Sequence, residues 1–276
     1  MEQEILHTGK NKNEEKLSIC MLASGSKGNA IHISDGRTSI LLDAGLSGIE
    51  IERRLKSTAQ GMEKIDAILV SHEHSDHIKG VGILARRYKI PVYISAETLK
   101  ASEHIMGNIP ETIHFRCGNA FNINTLTVRP FSLSHDAADP TGFTFSNGHV
   151  KIGIATDLGI ATSMVKSHLK GCNALIIEAN HDPSMLIKGP YPWPLKQRVK
   201  GRTGHLSNNE SGMLLKELLH ENLTHVILAH LSETNNTPEK ALAEVGLALQ
   251  QSSTKLFAAT QNCCGTIFQV GVNNQP

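Results

Sequence analysis

The sequence of 276 residues lacks the features that mark secreted and membrane-spanning proteins. Its five cysteines show no C-x-x-C spacing, a usage that is typical of a reducing compartment. No apolar run approaches the roughly 20 residues that a membrane helix needs. The polar N-terminus also lacks the apolar stretch of a signal peptide. The sequence therefore predicts a cytoplasmic protein with no membrane partner.

Strong charge asymmetry and nucleotide-binding motifs are absent as well. The 27 Lys and Arg residues nearly balance the 26 Asp and Glu residues, so any site for a polyanion must be local. Neither the phosphate-binding pattern G-x-x-x-x-G-K-[ST] nor the dinucleotide pattern G-x-G-x-x-G occurs. Histidine, in contrast, is abundant, because its 15 residues outnumber Phe, Tyr and Trp together. Since histidine is the commonest metal ligand, the positions of these residues decide the interpretation.

Alternating strand and helix patterns predict an α/β domain over residues 17–276, after a flexible tail at 1–16. Asp-Gly at 35–36 and Asn-Gly at 147–148 mark two β-hairpins. The proline-rich segment 189–202 is predicted to be a loop. Two apolar strands, IDAILV and LTHVILA, both run into histidines, which indicates two similar halves. Two sheets packed face to face, with helices outside, would bring both strand ends to one edge.

The strongest functional signal is the segment 71–77, Ser-His-Glu-His-Ser-Asp-His, which directly follows an apolar strand. In an extended loop, His72 and His74 point to the same side because side chains alternate with a period of two. Asp76 and His77, at the start of the next helix, can turn towards a second point nearby. This arrangement fits two metal positions better than one. The alternative, a solvated polar loop, does not explain four ligand-type residues between a buried strand and an apolar helix.

Three further residues, His135, Asp157 and His230, each follow an apolar strand. Taken singly, each has an ordinary explanation, since a histidine at a strand end is often structural and Asp before Leu-Gly is typical of a turn. Together with the segment 71–77, they are predicted to be metal ligands. Imidazole and carboxylate groups suit two divalent ions, either Zn²⁺ or else Mn²⁺ or Fe²⁺.

The pattern His-x-His-x-Asp-His, followed by distant His, Asp and His residues, resembles the metallo-β-lactamase fold superfamily of binuclear hydrolases over residues 17–270. Within it, the sequence is more similar to the ribonuclease Z and phosphodiesterase side, and most similar to the YycJ (WalJ)-like family. The blocks that carry this second resemblance are ASGSKGN, LDAG, SLSHDAADPTGF, IEANHD, GHLSNNE and LAHLSETNNTPE.

This resemblance implies a four-layer αββα sandwich and a phosphodiester hydrolase, with DNA exonuclease activity associated with the branch. Lactamases commonly use a cysteine in a late motif, and Asp157 and His230 replace it here, which argues against antibiotic hydrolysis. The implied ligands are His72, His74 and His135 for one metal, Asp76, His77 and His230 for the other, and Asp157 as the bridge.

The leaving oxygen of a phosphodiester needs a proton, and His205 in the motif Gly-His-Leu-Ser is the candidate general acid. Glu178, at the end of an apolar strand, is predicted to keep His205 protonated, which resembles the late Glu- and His-containing motifs of ribonuclease Z. Asp76 completes the candidate catalytic set. Alternatively, Glu178 pairs with Lys or Arg, and His205 simply precedes a helix N-cap. Asp43 is expected to hydrogen-bond a ligand histidine, or else to be a turn carboxylate.

Two segments are candidates for substrate contact. The backbone N–H groups of the turn that contains Ser24, Ser26 and Asn29 can form an anion-binding nest, although a tight turn between strands explains it equally well. In the segment 189–202, cations lie close to aromatic residues, which suits single-stranded nucleic acid, whereas composition alone favours a solvated loop. The cations are Lys196, Arg198, Lys200 and Arg202, of which the last three are the predicted substrate contacts, and the aromatic residues are Tyr191 and Trp193.

The sequence favours a metal-dependent nuclease that acts on DNA, with RNA as the second substrate class. Since one fold hosts many chemistries, a hydrolase of a cyclic or nucleotide phosphodiester, a thioester or a lactone is the first alternative. A metal-stabilised regulatory module is the second. It is disfavoured because seven His and Asp ligands leave metal positions open, unlike closed Cys-rich zinc sites. The oligomeric state stays open, with a homodimer as one arrangement.

Overall fold

The computed structural model describes residues 16–59 and 61–271. In this part of the chain the strands are β1 (Lys16–Ala23), β2 (Ala30–Ser34), β3 (Ser39–Leu42), β4 (Ala67–Leu69), β5 (Val92–Ile94), β6 (Thr112–His114), β7 (Phe121–Ile123), β8 (Leu126–Ser132), β9 (Thr141–Ser146), β10 (Lys151–Ala155), β11 (Ala174–Glu178), β12 (His225–Ala229), β13 (Lys255–Ala258) and β14 (Ile267–Gly271). The α-helices are α1 (Gly48–Ser57), α2 (Ser75–Ile78), α3 (Val81–Tyr88), α4 (Ala96–Met106), α5 (Ser163–Leu169), α6 (Pro183–Lys188), α7 (Trp193–Val199), α8 (Asn208–Leu218) and α9 (Pro238–Gly246).

The predicted flexible tail lies outside the described residues, except for Lys16, which is the first residue of β1. The domain boundaries at 17 and 276 therefore stay predictions. Among residues 16–59 and 61–271, no helix combines the length and the apolar character needed to cross a lipid bilayer.

The described strands form two mixed sheets with seven strands each. The strand order is β14-β1-β2-β3-β4-β5-β6 in the first sheet and β13-β12-β11-β10-β9-β8-β7 in the second. In each sheet an antiparallel hairpin leads into a row of parallel strands. These are β3 to β6 in the first sheet and β10 to β13 in the second. Parallel strands end at one edge of their sheet, so the loops that follow them are neighbours.

The two predicted halves correspond through their hairpins. The β2–β3 pair turns at 35–36 and the β9–β10 pair turns at 147–148, as the Asp-Gly and Asn-Gly signals predict. Asp43 then follows β3 and Asp157 follows β10, and each has a left-handed φ of 59°. The similar segments IDAILV and LTHVILA contain β4 and β12, and these two strands do not occupy equivalent positions in their sheets. β4 is the second parallel strand of its sheet, whereas β12 is the third.

Apolar side chains fill three layers, and this confirms the αββα sandwich. Alternate residues of β1 point to opposite faces because the strand period is two. Ile19 faces the space between the sheets, where it belongs to one cluster with Phe145 of the second sheet. Cys20 faces outwards, in the layer that α1 and α3 cover. On the outer face of the second sheet, α5, α8 and α9 cover a third layer that includes Leu175.

The proline-rich segment 189–202 is not a loop throughout, because α7 occupies Trp193–Val199. Pro194 lies in the first turn of this helix, where a backbone N–H would have no partner within the helix in any case. The preceding helix α6 starts in the same way with Pro183, after Asp182 has capped the N–H of Met185. The loop prediction was wrong because proline here starts a helix and does not break one.

Candidate metal centre

The predicted ligands lie in loops and a short helix that follow strands at one edge of the two sheets. This placement explains their convergence, since the carboxyl ends of neighbouring parallel strands meet at the same edge. The residues are His72 and His74 after β4, Asp76 and His77 in α2, His135 after β8, Asp157 after β10 and His230 after β12.

The first group contains His72, His74 and His135, whose ligand atoms lie within 4.8 Å of one another. His135 Nε2 is 3.3 Å from His74 Nδ1. The other ring nitrogen of His135, Nδ1, donates to the carbonyl oxygen of Gly204 at 3.2 Å. This hydrogen bond leaves the lone pair of Nε2 directed towards the group.

The second group contains Asp76, His77 and His230, also within 4.8 Å of one another. Asp76 Oδ2 is 3.7 Å from His77 Nε2 and 3.8 Å from His230 Nε2. Asp157 lies beside this group, with Oδ2 at 3.4 Å from His77 Nε2 and Oδ1 at 3.3 Å from His230 Nδ1. Asp157 also belongs to a cluster with His72 and His77, so it touches both groups.

These side chains fit a divalent metal. Ligand atoms about 2.1 Å from a tetrahedral ion are about 3.4 Å from each other, close to the distances seen in both groups. Three buried atoms at the site have no hydrogen-bond partner, namely His72 Nε2, Asp157 Oδ2 and His230 Nε2. An unsatisfied buried polar atom costs about 1–3 kcal/mol, so their convergence indicates a cation site.

The electrostatics of the site also favour a cation. Burial opposes protonation of His77, but Asp157 and Asp43 outweigh it and raise the pKa of His77 to about 9. Burial likewise opposes charge on His230, yet Asp157, Asp76 and Glu178 raise its pKa well above the usual value. The carboxylates thus favour positive charge at this site, which a bound metal ion would supply in place of protons.

The hydrogen bond expected between Asp43 and a candidate ligand histidine is present. Asp43 Oδ2 accepts from His77 Nδ1 at 2.7 Å and from the Ser71 hydroxyl at 2.7 Å. Asp43 Oδ1 accepts the backbone N–H of Ser71 at 2.8 Å. With Nδ1 as the donor, His77 keeps the lone pair of Nε2 for a ligand bond.

Glu178 is fully buried at the end of β11 and contacts both sides of the site. Its Oε1 accepts from Nδ1 of His205 and from Nδ1 of His230, both at 2.8 Å. Its Oε2 accepts the backbone N–H groups of Leu158 and Leu206, both at 3.1 Å. Burial opposes the charge, but the two histidines hold the pKa of Glu178 below its usual range. Its partners are therefore histidines and backbone amides, not the Lys or Arg of the alternative interpretation.

Three residues of the site have a left-handed backbone, with φ of 59° at Asp43, 59° at Asp157 and 55° at His230. Such a conformation costs of order 1–3 kcal/mol at a non-glycine residue and is found mainly where surrounding contacts fix it. At His230, the N–H donates to Ser24 Oγ at 2.7 Å, and the carbonyl accepts from Asn180 Nδ2 at 2.9 Å. These contacts aim the imidazole at the centre.

The turn between β1 and β2 supports the candidate ligands, and five of its backbone N–H groups have acceptors within the protein. Ser24 and Asn29, two predicted substrate contacts, are buried, and Asn29 Nδ2 donates to Asp76 Oδ2 at 3.2 Å. The engaged N–H groups favour the tight-turn alternative, and of the three predicted residues only Ser26 is exposed. The engaged N–H groups and their acceptors are Ser24 with Thr260 O, Gly25 with Asn29 Oδ1, Lys27 with Gln261 Oε1, Gly28 with Gly25 O, and Asn29 with Asp76 O.

A cavity of about 150 Å³ lies beside His205 and is lined by Ser26, Tyr191 and Arg198. Arg198 Nε donates to Asp136 Oδ2 at 2.5 Å, which fixes the guanidinium at this cavity. Of the other predicted cations, Lys200 lies 5.7 Å from the ring centroid of the exposed Trp193. Neither Lys200 nor Arg202 lines the cavity. The structure thus brings Arg198 and Ser26 next to His205 and leaves the other two cations on the surface.

Among the site residues that were not predicted, three contact the imidazole rings of candidate ligands. Ser71 Oγ is 3.0 Å from His72 Nδ1, and Asp136 Oδ1 is 3.4 Å from His135 Nε2. Both directly adjoin predicted ligands in the sequence, and this adjacency is a signal that could have identified them. The third is Gly204, which acts through its carbonyl oxygen and so leaves no signal in the side-chain pattern.

Comparison with known proteins agrees with this geometry. Residues 38–231 match a family model described as a beta-lactamase superfamily domain. The chain is 39% identical over 237 residues to exodeoxyribonuclease YycJ of Bacillus anthracis, across 85% of this chain and 90% of that protein. It is 36% identical over 225 residues to exodeoxyribonuclease WalJ of Streptococcus pneumoniae, across 80% and 84%.

Among solved structures, the fold is similar to that of the metallo-beta-lactamase fold protein YhfI from Bacillus subtilis, with a TM-score of 0.72. The identity is 16%, and the match covers 92% of this chain and 99% of that one. With the family match and the relatives, the protein is a metal-dependent hydrolase. The chain belongs to the metallo-β-lactamase superfamily, in the branch that contains YycJ and WalJ.

Proposed function

We propose that this protein is an exodeoxyribonuclease that uses two divalent metal ions. The observation that carries the proposal is the hydrogen bond between Glu178 and His205 beside the candidate ligands. A proton donor held next to a metal centre suits phosphodiester cleavage, in which a leaving oxygen must be protonated. The names of the relatives YycJ and WalJ support DNA as the substrate.

Two ions fit the two groups of ligand atoms described above. When bound, such a pair lowers the pKa of a water molecule and neutralises negative charge on the phosphate. Imidazole and carboxylate ligands suit Zn²⁺ as well as Mn²⁺ or Fe²⁺. Asp76 takes part as a ligand that Asn29 holds in place. The proposed ligands are His72, His74 and His135 for one ion, Asp76, His77 and His230 for the other, and Asp157 for both.

His205 is proposed to protonate the leaving oxygen. Glu178 Oε1 accepts the Nδ1–H of His205 and so fixes the orientation of the ring. The transferable proton is then the one on Nε2, since Nδ1 stays bonded to Glu178. Its transfer leaves a neutral His205 in an unchanged orientation. His205 lines the cavity, so the proton is released where substrate can enter.

The end of α7 is proposed to bind the DNA backbone. Arg198 reaches the cavity beside His205, while Lys200 and Arg202 extend the positive charge along the surface. Cations of this kind neutralise phosphates and make binding dependent on salt. Trp193 is 63% exposed, which leaves its ring accessible for stacking on a base.

The test uses end-labelled single-stranded and double-stranded DNA, RNA and bis-p-nitrophenyl phosphate, each incubated with Mn²⁺ or Zn²⁺. Wild type is compared with Asp157→Ala, His205→Ala and, as a control, His149→Ala in the exposed β9–β10 turn. Wild type and control should shorten DNA stepwise from an end. Asp157→Ala should lose bound metal and activity, whereas His205→Ala should keep its metal and act about 10²–10⁴-fold more slowly.

Other outcomes would change the assignment. Internal cuts in closed circular DNA would contradict an exonuclease and favour an endonuclease. Hydrolysis of the small diester without any oligonucleotide cleavage would place the protein among small-substrate phosphodiesterases. Two bound metals with no turnover of any substrate would favour the regulatory module.

A further inference from the structure

Two cysteines that the proposed function does not use are in direct contact. Cys20 of β1 and Cys264, in the segment before β14, have their sulfur atoms 3.3 Å apart, and both are free thiols. The backbone fixes this approach, because the N–H of Gly265 donates to the carbonyl of Met21 at 2.9 Å and Cys20 pairs in register with Ile267. Two thiols from distant parts of the sequence are thus held side by side.

The two thiols differ in access and in acidity. Cys20 is 1% exposed, whereas Cys264 is half-buried and can be reached from solvent. The contact with the Cys20 sulfur, opposed by burial and helped by Ser57 and Arg54, lowers the pKa of Cys264 to about 7. The same contact and burial raise the pKa of Cys20. Cys264 is therefore the nucleophile, because a thiolate and not a thiol attacks an oxidant.

We propose that Cys20 and Cys264 are a reversible redox pair that reacts with hydroperoxides. The Cys264 thiolate, whose proton has passed to solvent, attacks one oxygen of hydrogen peroxide. The O–O bond breaks, and the leaving hydroxide takes a proton back from solvent to become water. Cys20 Sγ then attacks the sulfenic acid of Cys264, its proton goes to the departing hydroxide, and a second water leaves. The two sulfurs lose two electrons, which the peroxide gains, and an S–S bond joins β1 to the segment before β14.

The other three cysteines lack this combination of contact and access. Cys117 is half-buried, and its sulfur contacts the Thr141 hydroxyl at 3.5 Å. Cys172 is fully buried, and burial raises its pKa to about 11, which makes it an internal reference. Cys263 is exposed, but its sulfur lies 3.0 Å from the Thr260 hydroxyl and is not in contact with Cys20. Because Cys263 is exposed and adjacent to Cys264, the experiment must distinguish oxidation of Cys263 from oxidation of Cys264.

The pair lies next to a segment that supports the β1–β2 turn. Gln261 Oε1 accepts the N–H of Lys27 at 2.8 Å, and Gln261 Nε2 donates to the carbonyl of Gly28 at 2.9 Å. Arg54 in turn donates to the carbonyl of Gln261 at 2.9 Å. A cross-link at Cys264 ties this supporting segment to β1 in the oxidised protein.

The experiment treats the metal-loaded full-length protein with a small excess of hydrogen peroxide, then removes peroxide with catalase. Free thiols are alkylated in denaturant before digestion with trypsin and mass spectrometry. Trypsin releases residues 17–27, which contain Cys20, and residues 256–276, which contain both Cys263 and Cys264. The two peptides should be joined in wild type and in Cys263→Ser, and dithiothreitol should separate them. Cys172 should be alkylated in every sample.

The link should be absent in Cys20→Ser and in Cys264→Ser. A link that is lost in Cys263→Ser, overoxidation of Cys263 alone, or two unlinked and alkylated peptides in the treated wild type would each overturn the proposal. If Cys20→Ser fails to fold, the half-buried Cys264→Ser still decides between the outcomes. The experiment detects a disulfide bond and does not depend on nuclease activity. A negative result would therefore contradict the redox pair without bearing on the proposed nuclease function.

Discussion

Replacing Glu178 with glutamine changes the chemistry of one buried group while it preserves the shape. The carboxylate accepts from His205 and His230 through one oxygen and from the N–H groups of Leu158 and Leu206 through the other. All four partners are donors. Whichever way the new amide turns, its NH₂ group therefore meets two N–H groups in place of an acceptor.

The expected loss can be worked out for both orientations. If the NH₂ group faces Leu158 and Leu206, two buried N–H groups lose their acceptor. At about 1–3 kcal/mol each, the free energy of unfolding falls by about 2–6 kcal/mol. If it faces the histidines, they can accept only as the tautomers protonated on Nε2. In that tautomer, Nε2 of His230 carries a proton and has no lone pair for the metal. Loss of a hydrogen-bond acceptor that orients a ligand histidine costs about 10–100-fold in metal affinity.

Urea denaturation of the metal-free protein and competition with a chelating dye measure the two quantities. Glu217→Gln on α8 is the matched control, because Glu217 is 53% exposed and its ion pair with Lys166 lies at the surface. Its stability should stay within about 1 kcal/mol of wild type. A Glu178→Gln protein with both the stability and the metal affinity of wild type would contradict this role of Glu178.

Three further changes have definite expected results. Burial lowers the pKa of His32 to about 4 from 6.5, so the unfolded chain binds more protons between these values and stability is lost as the pH falls through this range. Between pH 6.5 and 4, the free energy of unfolding of His32→Gln, measured by urea denaturation, should fall by about 3 kcal/mol less than that of wild type. The same pH dependence in both proteins would contradict this role of His32. A side chain at Gly45 would place its Cβ 1.6 Å from the carbonyl oxygen of Asp76. Gly45→Ala should therefore lower both the melting temperature and the content of bound metal, and a variant with the wild-type metal content would contradict this coupling. Arg198→Ala should weaken DNA binding for all sequences and reduce the salt slope by about one in fluorescence anisotropy, with Lys56→Ala on α1 as the control that keeps the wild-type slope.

The positions of the candidate ligands follow from local rules. The alternation of His72 and His74 along an extended loop needs only the strand period, and the place of Asp157 and His230 needs only that parallel strands end at one edge. The hairpins at 35–36 and 147–148 are equally local, since each depends on two adjacent residues. Such features can be predicted because the physical cause lies within a few residues of the effect.

The contacts that sequence reasoning missed join residues far apart in the chain. Glu178 contacts His230 and the N–H of Leu158, in addition to the predicted His205, because β11 lies between β10 and β12. This strand order is not written in any one segment. The N–H of Lys27 finds its acceptor in Gln261, so no local pattern shows that the turn is engaged. Which distant residues become hydrogen-bond partners depends on the order of the strands and on the packing of the two sheets.

The candidate centre takes its ligands from both sheets, and this has a thermodynamic consequence. A metal ion between the sheets binds the docked halves and not the separated ones, so it acts as a cross-link whose strength depends on concentration. Each tenfold rise in free metal above the dissociation constant adds about 1.4 kcal/mol to the free energy of unfolding. Resistance to unfolding is then set by the supply of metal, even when no substrate is present. The ligands come from the first sheet through His72, His74, Asp76 and His77, and from the second through His135, Asp157 and His230.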